Sequence, residues 1–281
     1  MIHAIENDTF RIAAKNLGAE LTSFVDKRTG EELLWQGGEI WDMQSPLLFP
    51  VVGRLREDTY EVYGETYTIA KHGFAMHSEF ALESASDSEM TFLLTDSPET
   101  MKCFPFPFEL RVNFSFTDGG FVITHRVKNT GGRKMYFSIG AHPAFQIELG
   151  DRVVMDEEET AAAFRLDDDK LRAQEQLPVF DHSREVVVTA DIFAEDALIF
   201  DGLKSKGCTV TRANGRTIHV DFGGAPCLGM WAKPAAPYVC IEPWYGVDDM
   251  WNAGHDFTKK ERICALEVGE EFVFPVTITT P

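Results

Sequence analysis

An all-β fold, an antiparallel β-sandwich, is what this sequence predicts, and three observations predict it. Apolar and polar residues alternate with period 2 through much of the chain. The alternating segments are separated by Gly, Asp and Pro turns with no amphipathic helices between them, which argues against a parallel α/β sheet. The 22 Phe among 281 residues add large apolar side chains that favour strands. One domain over residues 1–281 is expected, because roughly 200–250 residues is routine for a single all-β unit and no repeat or low-complexity linker divides the chain.

Taken in order, strands are expected at 10–14 and 20–26. A hairpin follows in Tyr60–Tyr63 and Thr66–Ile69, with Gly64-Glu65 between them and Gly64 supplying the positive φ of a type II′ turn. Strands at 80–85 and 90–95 precede Ser97-Pro98-Glu99-Thr100-Met101, where Ser97 caps a short helical turn and Pro98 takes its first position. In Phe108–Phe116 every even position is apolar and every odd one polar, the clearest strand of the chain. Thr117-Asp118-Gly119-Gly120 turns it back into Phe121–Lys128. Further strands are expected at 133–139, 185–189, 197–201, 207–212, 216–222, 227–232, 237–242 and 271–279. The acidic stretch from Asp151 to Gln176 lacks a D-x-D-x-D-G calcium loop and is expected to be a solvated loop.

Charge narrows the partners. With 26 Lys plus Arg against 45 Asp plus Glu, the net charge is −19. That balance disfavours nucleic acid and anionic membranes, both of which are held by clustered cations. No apolar run reaches the ~18 residues of a membrane span, and Met1–Asp8 does not read as a secretory signal. A soluble, cytoplasmic protein is expected. Five cysteines without a C-x-x-C pair argue against a disulfide framework and a zinc knuckle, so free, mostly buried thiols are expected.

Four segments place polar groups inside apolar, Gly- or Pro-kinked surroundings. Pro46–Gly53 is an apolar run that ends in Arg54, whose guanidinium would emerge at the edge of the core. In Lys71-His72-Gly73-Phe74, Gly73 permits close backbone approach beside His72. Small residues precede His142 and Pro143 follows it, which favours extended geometry and leaves space around the imidazole. Glu242 closes a nearly apolar strand before Pro243, Trp244 and Tyr245, so its carboxylate is expected to be desolvated and more basic. Trp231 and Trp244 offer flat faces of the kind that pack on sugar rings, although any one such aromatic is more often simply core. There is no nucleophile motif, no Gly-rich phosphate loop and no metal-ligand spacing, so neither a metal nor a cofactor is expected. The set suits proton transfer on a neutral polyol.

These residues resemble the motifs of the aldose 1-epimerases (galactose mutarotases), in particular the LacX-like branch. The likeness lies in Leu48-Phe49-Pro50 through Gly53-Arg54, His72-Gly73-Phe74, Gly140–Phe145 and Cys240–Trp244, in that order over nearly the whole chain. The resemblance implies a galactose-mutarotase-type supersandwich, a large twisted antiparallel β-sandwich whose concave face holds a sugar. It implies interconversion of the α and β anomers of an aldohexose, with His142 as general acid and Glu242 as general base. His72 and Arg54 would hold sugar hydroxyls and the ring oxygen. Two positions depart from the pattern. The better-known galactose mutarotases have Asn where this chain has Gly53, and their sugar-binding Asp is matched only loosely, by Asp196.

Two other readings share the fold. A hexose-6-phosphate 1-epimerase would need extra cations near the sugar's C6 end, for which Lys71 and Arg56 lie close in sequence. A carbohydrate-binding protein without turnover would need neither His142 nor Glu242. The sequence specifies no oligomeric state.

Overall fold

The computed structural model describes all 281 residues, and its architecture is antiparallel β throughout, with one four-residue α-helix, Thr100–Cys103. The principal sheet runs from the short strand Leu47–Leu48 through Ile139–Ala141, Tyr238–Tyr245, Cys227–Trp231 and Leu198–Asp201 to the long strand Arg152–Leu166. From there it continues through Gly207–Thr211, Thr217–Asp221, Glu271–Thr279, Gly120–Asn129, Phe108–Thr117 and Glu89–Thr95 to Ala81–Ala85. Arg152–Leu166 joins the two halves, pairing Phe164 with Ile199 on one and Arg152–Met155 with the strand Gly207–Thr211 on the other.

The halves then close on each other face to face. Tyr245 meets Phe272 and Phe274 at ring-centroid distances of 5.0 and 5.2 Å, and Phe49 meets Phe108 at 5.2 Å. Of the 22 Phe, 18 are buried, so they form the interior of the sandwich. Each such side chain contributes about 1.5–3 kcal/mol of burial. A smaller sheet, Ile2–Glu6, Phe10–Lys15, Leu21–Asp26 and Glu31–Glu32, covers one side, where Phe24 packs against Phe121.

The alternation at 108–116 becomes the inward row Phe108, Leu110, Val112 and Phe114, and the hairpin closes on Asp118-Gly119. Ser97 Oγ accepts from the Thr100 N–H at 3.2 Å in the turn that leads into the helix, whose N-cap is Glu99 rather than the expected Ser97. Three of the five free cysteines, Cys208, Cys227 and Cys240, are buried. No helix is long and apolar enough to cross a membrane.

Two expectations are corrected. The first hairpin turns one residue earlier than the sequence suggested: Val62 pairs with Glu65, and Tyr63 and Gly64 both have positive φ, so the turn is type I′ rather than II′. Tyr63 is held there by Arg133 over its ring at 4.3 Å and by donating its hydroxyl to the Lys134 carbonyl. The acidic stretch is a long antiparallel ribbon, Arg152–Leu166 with Arg172–Val187, instead of a loop. Its run Asp156-Glu157-Glu158 stays exposed, whereas Glu159 is buried and accepts from the backbone N–H and hydroxyl of Ser205, both at 2.8 Å.

Candidate active site

Sheet register creates the central feature of the site. Tyr238–Tyr245 pairs Trp244 with Gly140 on one side of the His142-Pro143 interruption and Cys240 with Ala144 on the other. The same register sets His142 directly opposite Glu242, a cross-strand relation that brings two side chains together on one face. Their contact is 3.1 Å, from His142 Nε2 to Glu242 Oε2, and both residues are buried. Pro143 contributes no N–H to the ladder, but its carbonyl accepts from the Ile241 N–H at 3.1 Å and keeps the strands aligned.

Trp244 lies on the same face as Glu242, two residues on. Its indole lies flat because the flanking strands carry glycine where it crosses them. A Cβ at Gly140 would stand 2.5 Å from Trp244 Cδ1, and one at Gly229 would stand 2.6 Å from Cζ2. Opposite this floor, Trp41 lies 5.4 Å from the His142 ring and 5.4 Å from Trp231, edge-on to the latter. Together they wall a cavity of about 260 Å³, at the small end of the ~300–1,000 Å³ usual for ligand pockets. Trp41 comes from an irregular segment with no sequence pattern, and sequence reasoning missed it.

His72 enters from the opposite rim with φ +66°, a left-handed conformation held by three bonds. Its N–H donates to Gly53 O at 2.8 Å, its carbonyl accepts from the Phe49 N–H, and Nδ1 accepts from the Gly53 N–H at 3.1 Å. That last bond leaves the ring proton on Nε2. The His72 and His142 rings stand 6.3 Å apart.

His142, Glu242, His72, Asp196, Trp231 and Trp244 therefore line one cavity. Arg54 does not, and its expected place is corrected. Its Nε and Nη2 bind both oxygens of Asp58 at 2.7 Å, and Nη1 donates to the Asp169 carbonyl at 2.6 Å. A carboxylate four residues away has captured the fork. Arg56 faces the same outer depression as Arg54.

Lys71 and Asp248 occupy the ground that Arg54 was expected to hold. Asp248 is buried, and its Oδ1 accepts from the Arg54 N–H at 2.8 Å. Its carboxylate rests on Gly53, where a Cβ would stand 2.1 Å from Cγ, so a side chain at 53 is excluded. Arg172, from the acidic ribbon, fixes this loop by donating Nε to the Asp248 carbonyl at 2.7 Å and its backbone N–H to Asp249 O at 2.8 Å. Asp196 binds Lys170 at 2.9 Å through Oδ2 and the Ala197 N–H at 3.0 Å through Oδ1.

The electrostatics follow from burial around one ammonium. Burial pushes the Glu242 carboxyl well above the ordinary range, with Asp248 and Asp196 adding to the rise and Lys71 opposing it. Burial, assisted by Lys71, pushes His142 down to about 3 and His72 well below its ordinary value. Burial raises Asp248 against the pull of Lys71, whereas at Asp196 burial is outweighed by Lys170 and Lys71 and the carboxyl falls. Both charged forms of the His142–Glu242 pair are thereby disfavoured, which leaves a neutral imidazole facing a protonated carboxyl across the 3.1 Å contact. Trp244 Nε1 and His142 Nδ1 are buried without a well-formed hydrogen bond within the protein.

Comparison with known proteins bears on the family and the fold. The family model for aldose 1-epimerase matches residues 1–278. The plasmid form of protein LacX from Lactococcus lactis subsp. lactis is 30% identical over 278 residues, covering 92% of each chain. A galactose mutarotase related enzyme from Lactobacillus acidophilus superposes with a TM-score of 0.93 at 31% identity, covering 100% of this chain and 97% of the other. A galactose mutarotase-like protein from Lactobacillus casei gives 0.94 at 26% identity over the full length of both. The galactose 1-epimerase of L. acidophilus, at 13% identity and a TM-score of 0.70, shares the fold over 99% of this chain and 93% of its own. A family match over almost every residue, joined to a mutarotase-like sandwich, places this chain in the aldose 1-epimerase family.

Proposed function

We propose that the protein is an isomerase that interconverts the α and β anomers of free aldohexoses, with His142 and Glu242 exchanging protons with the sugar. The observation that carries this reading is the buried His142–Glu242 contact at 3.1 Å, opening on a cavity of monosaccharide size. Ring opening requires one proton delivered to the ring oxygen and one removed from the C1 hydroxyl. The proton that the pair holds on Glu242 meets both needs once it crosses to His142: His142 Nε2 then donates to the ring oxygen, Glu242 accepts from the C1 hydroxyl, and the pair carries the same number of protons before and after. Rotation about C1–C2 and the reverse transfers close the ring as the other anomer.

The free hexose is the reading we favour, and the lining meets its hydroxyls with three carboxyl groups, Asp196, Glu242 and Asp248, and two ammonium groups, Lys71 and Lys233. The unpaired lone pairs of Asp248 suit a sugar hydroxyl, and His72 Nε2–H supplies a donor. Of the two cations that a hexose-6-phosphate enzyme would recruit, Lys71 is present and Arg56 lies outside.

Polarimetry across pH tests the proton count. The acid limb of kcat belongs to uptake of a second proton by the pair, so activity persists below the ordinary imidazole pKa of ~6.5 and falls only toward the His142 value of about 3. On the alkaline side activity is lost when the mobile proton leaves, above the ordinary carboxylate range because the Glu242 pKa is raised. An acid limb at ~6.5 would contradict the shared proton.

Two substitutions separate the cavity from its surroundings. Asp248→Asn is expected to raise KM about tenfold or more, since hydrogen bonds to charged acceptors contribute about 1.5–3 kcal/mol. Arg54→Ala is expected to leave KM unchanged and to cost less than about 1 kcal/mol, because its ion pair is partly solvated. The opposite ranking in steady-state kinetics would return Arg54 to the sugar.

A further inference from the structure

His142, Cys240 and Glu242 place an imidazole nitrogen, a thiol sulfur and a carboxylate oxygen within 4.8 Å of one another, and all three residues are buried. The sequence conceals this, since His142 lies far from the other two and no metal-binding spacing occurs. The sheet creates it: Cys240 and Glu242 stand two residues apart on one face of Tyr238–Tyr245, and His142 faces them from the neighbouring strand. We propose that this triplet is a binding site for a borderline divalent cation of the zinc class, which competes with the sugar.

The donor set selects the ion. One nitrogen, one sulfur and one oxygen suit zinc and its neighbours, whereas calcium and magnesium take oxygen alone. Thiolate and carboxylate together neutralise a 2+ ion with the imidazole neutral, so the buried complex carries no net charge and avoids the cost of an isolated ion in an apolar site. Tetrahedral bonds of about 2.0–2.3 Å bring ligand atoms to about 3.3–3.7 Å apart, so the triplet has little distance to close. Three protein ligands leave a fourth position toward the cavity that His142 and Glu242 line. Binding releases two protons to solvent, the thiol proton of Cys240 and the mobile proton of the His142–Glu242 pair, so affinity rises with pH.

The bound ion occupies the two groups proposed to exchange protons with the sugar, so inhibition rests on the proposed function while binding itself does not. Cobalt(II) titrated into the metal-free full-length protein reads the site directly. The expected result is one cobalt per chain with a thiolate-to-cobalt charge-transfer band, weakened by added galactose and absent in Cys240→Ala, with Cys240→Ser as the second variant should the first not fold. Cys240 does not line the cavity, so both variants keep the basal rate. Zinc inhibition of anomerisation should weaken in them by roughly 10–100-fold or more, the range lost even with outer-shell contacts. A wild-type spectrum without the charge-transfer band, or one unchanged in the variants, overturns the site. A cobalt spectrum as expected in a protein that anomerises no sugar would instead overturn the proposed function and leave the site standing.

Discussion

Glu242→Gln is expected to slow anomerisation by about 10²–10⁴-fold, the range for loss of a positioned acid or base. The amide keeps the size and hydrogen-bonding reach of the carboxyl in a site where burial already disfavours the charge, so the fold is expected to persist. His142→Asn should lose a similar factor, because it removes the other end of the same proton path. The double variant should be little slower than the worse single one, since two groups that act as a unit are strongly non-additive. Polarimetry on a freshly dissolved α-anomer, with circular dichroism to verify folding, gives the comparison. Unchanged rates in both single variants would remove the pair from the reaction.

Phe49→Ala carries the second large effect, a loss of about 3–5 kcal/mol in equilibrium urea unfolding. Phe49 is completely buried, with Phe104, Phe108 and Phe137 at centroid distances of 5.7, 5.2 and 5.9 Å. The deletion would open a cavity where the two halves of the sandwich meet. A domain is stable by only about 5–15 kcal/mol, so such a loss is a substantial fraction of the whole. Destabilisation below about 1 kcal/mol would show that the Phe cluster is not the load carrier of the core.

What the sequence revealed depended on whether each contact was local or repeated. The alternation in Phe108–Phe116 reports a one-sided strand directly, and its hairpin forms at Asp118-Gly119. His142 and Glu242 stood out because small residues and prolines surround them, and the register then sets them opposite each other. Period 2 disappears in the acidic ribbon because much of it faces water on both sides, so nothing forces an alternation there. The turn at Tyr63-Gly64 shifted because Arg133, 70 residues away, steadies a tyrosine at positive φ.

Arg54 shows the limit in the other direction. Residue type and position correctly indicated a guanidinium leaving the core edge, but Asp58, four residues on, claims it before it reaches the cavity. Asp248 had no local mark, because its burial depends on the bare Cα of Gly53 and on Arg172 in the ribbon. Lys71 stood out in the sequence only as a cation near the motifs that could meet a sugar phosphate, yet its charge acts on His72, His142, Asp196, Glu242 and Asp248. Such groups become functional candidates only when the fold brings distant segments together.

The central claim, acid–base anomerisation of a free hexose, is tested most directly by the wild-type protein with three sugars. Freshly dissolved α-anomers of glucose, galactose and glucose 6-phosphate are followed by polarimetry against their spontaneous rates. The expected result is acceleration of at least one free hexose, with the phosphate ester a poorer substrate because Arg56 lies outside the cavity. Acceleration confined to glucose 6-phosphate, or of no sugar at all, would contradict it.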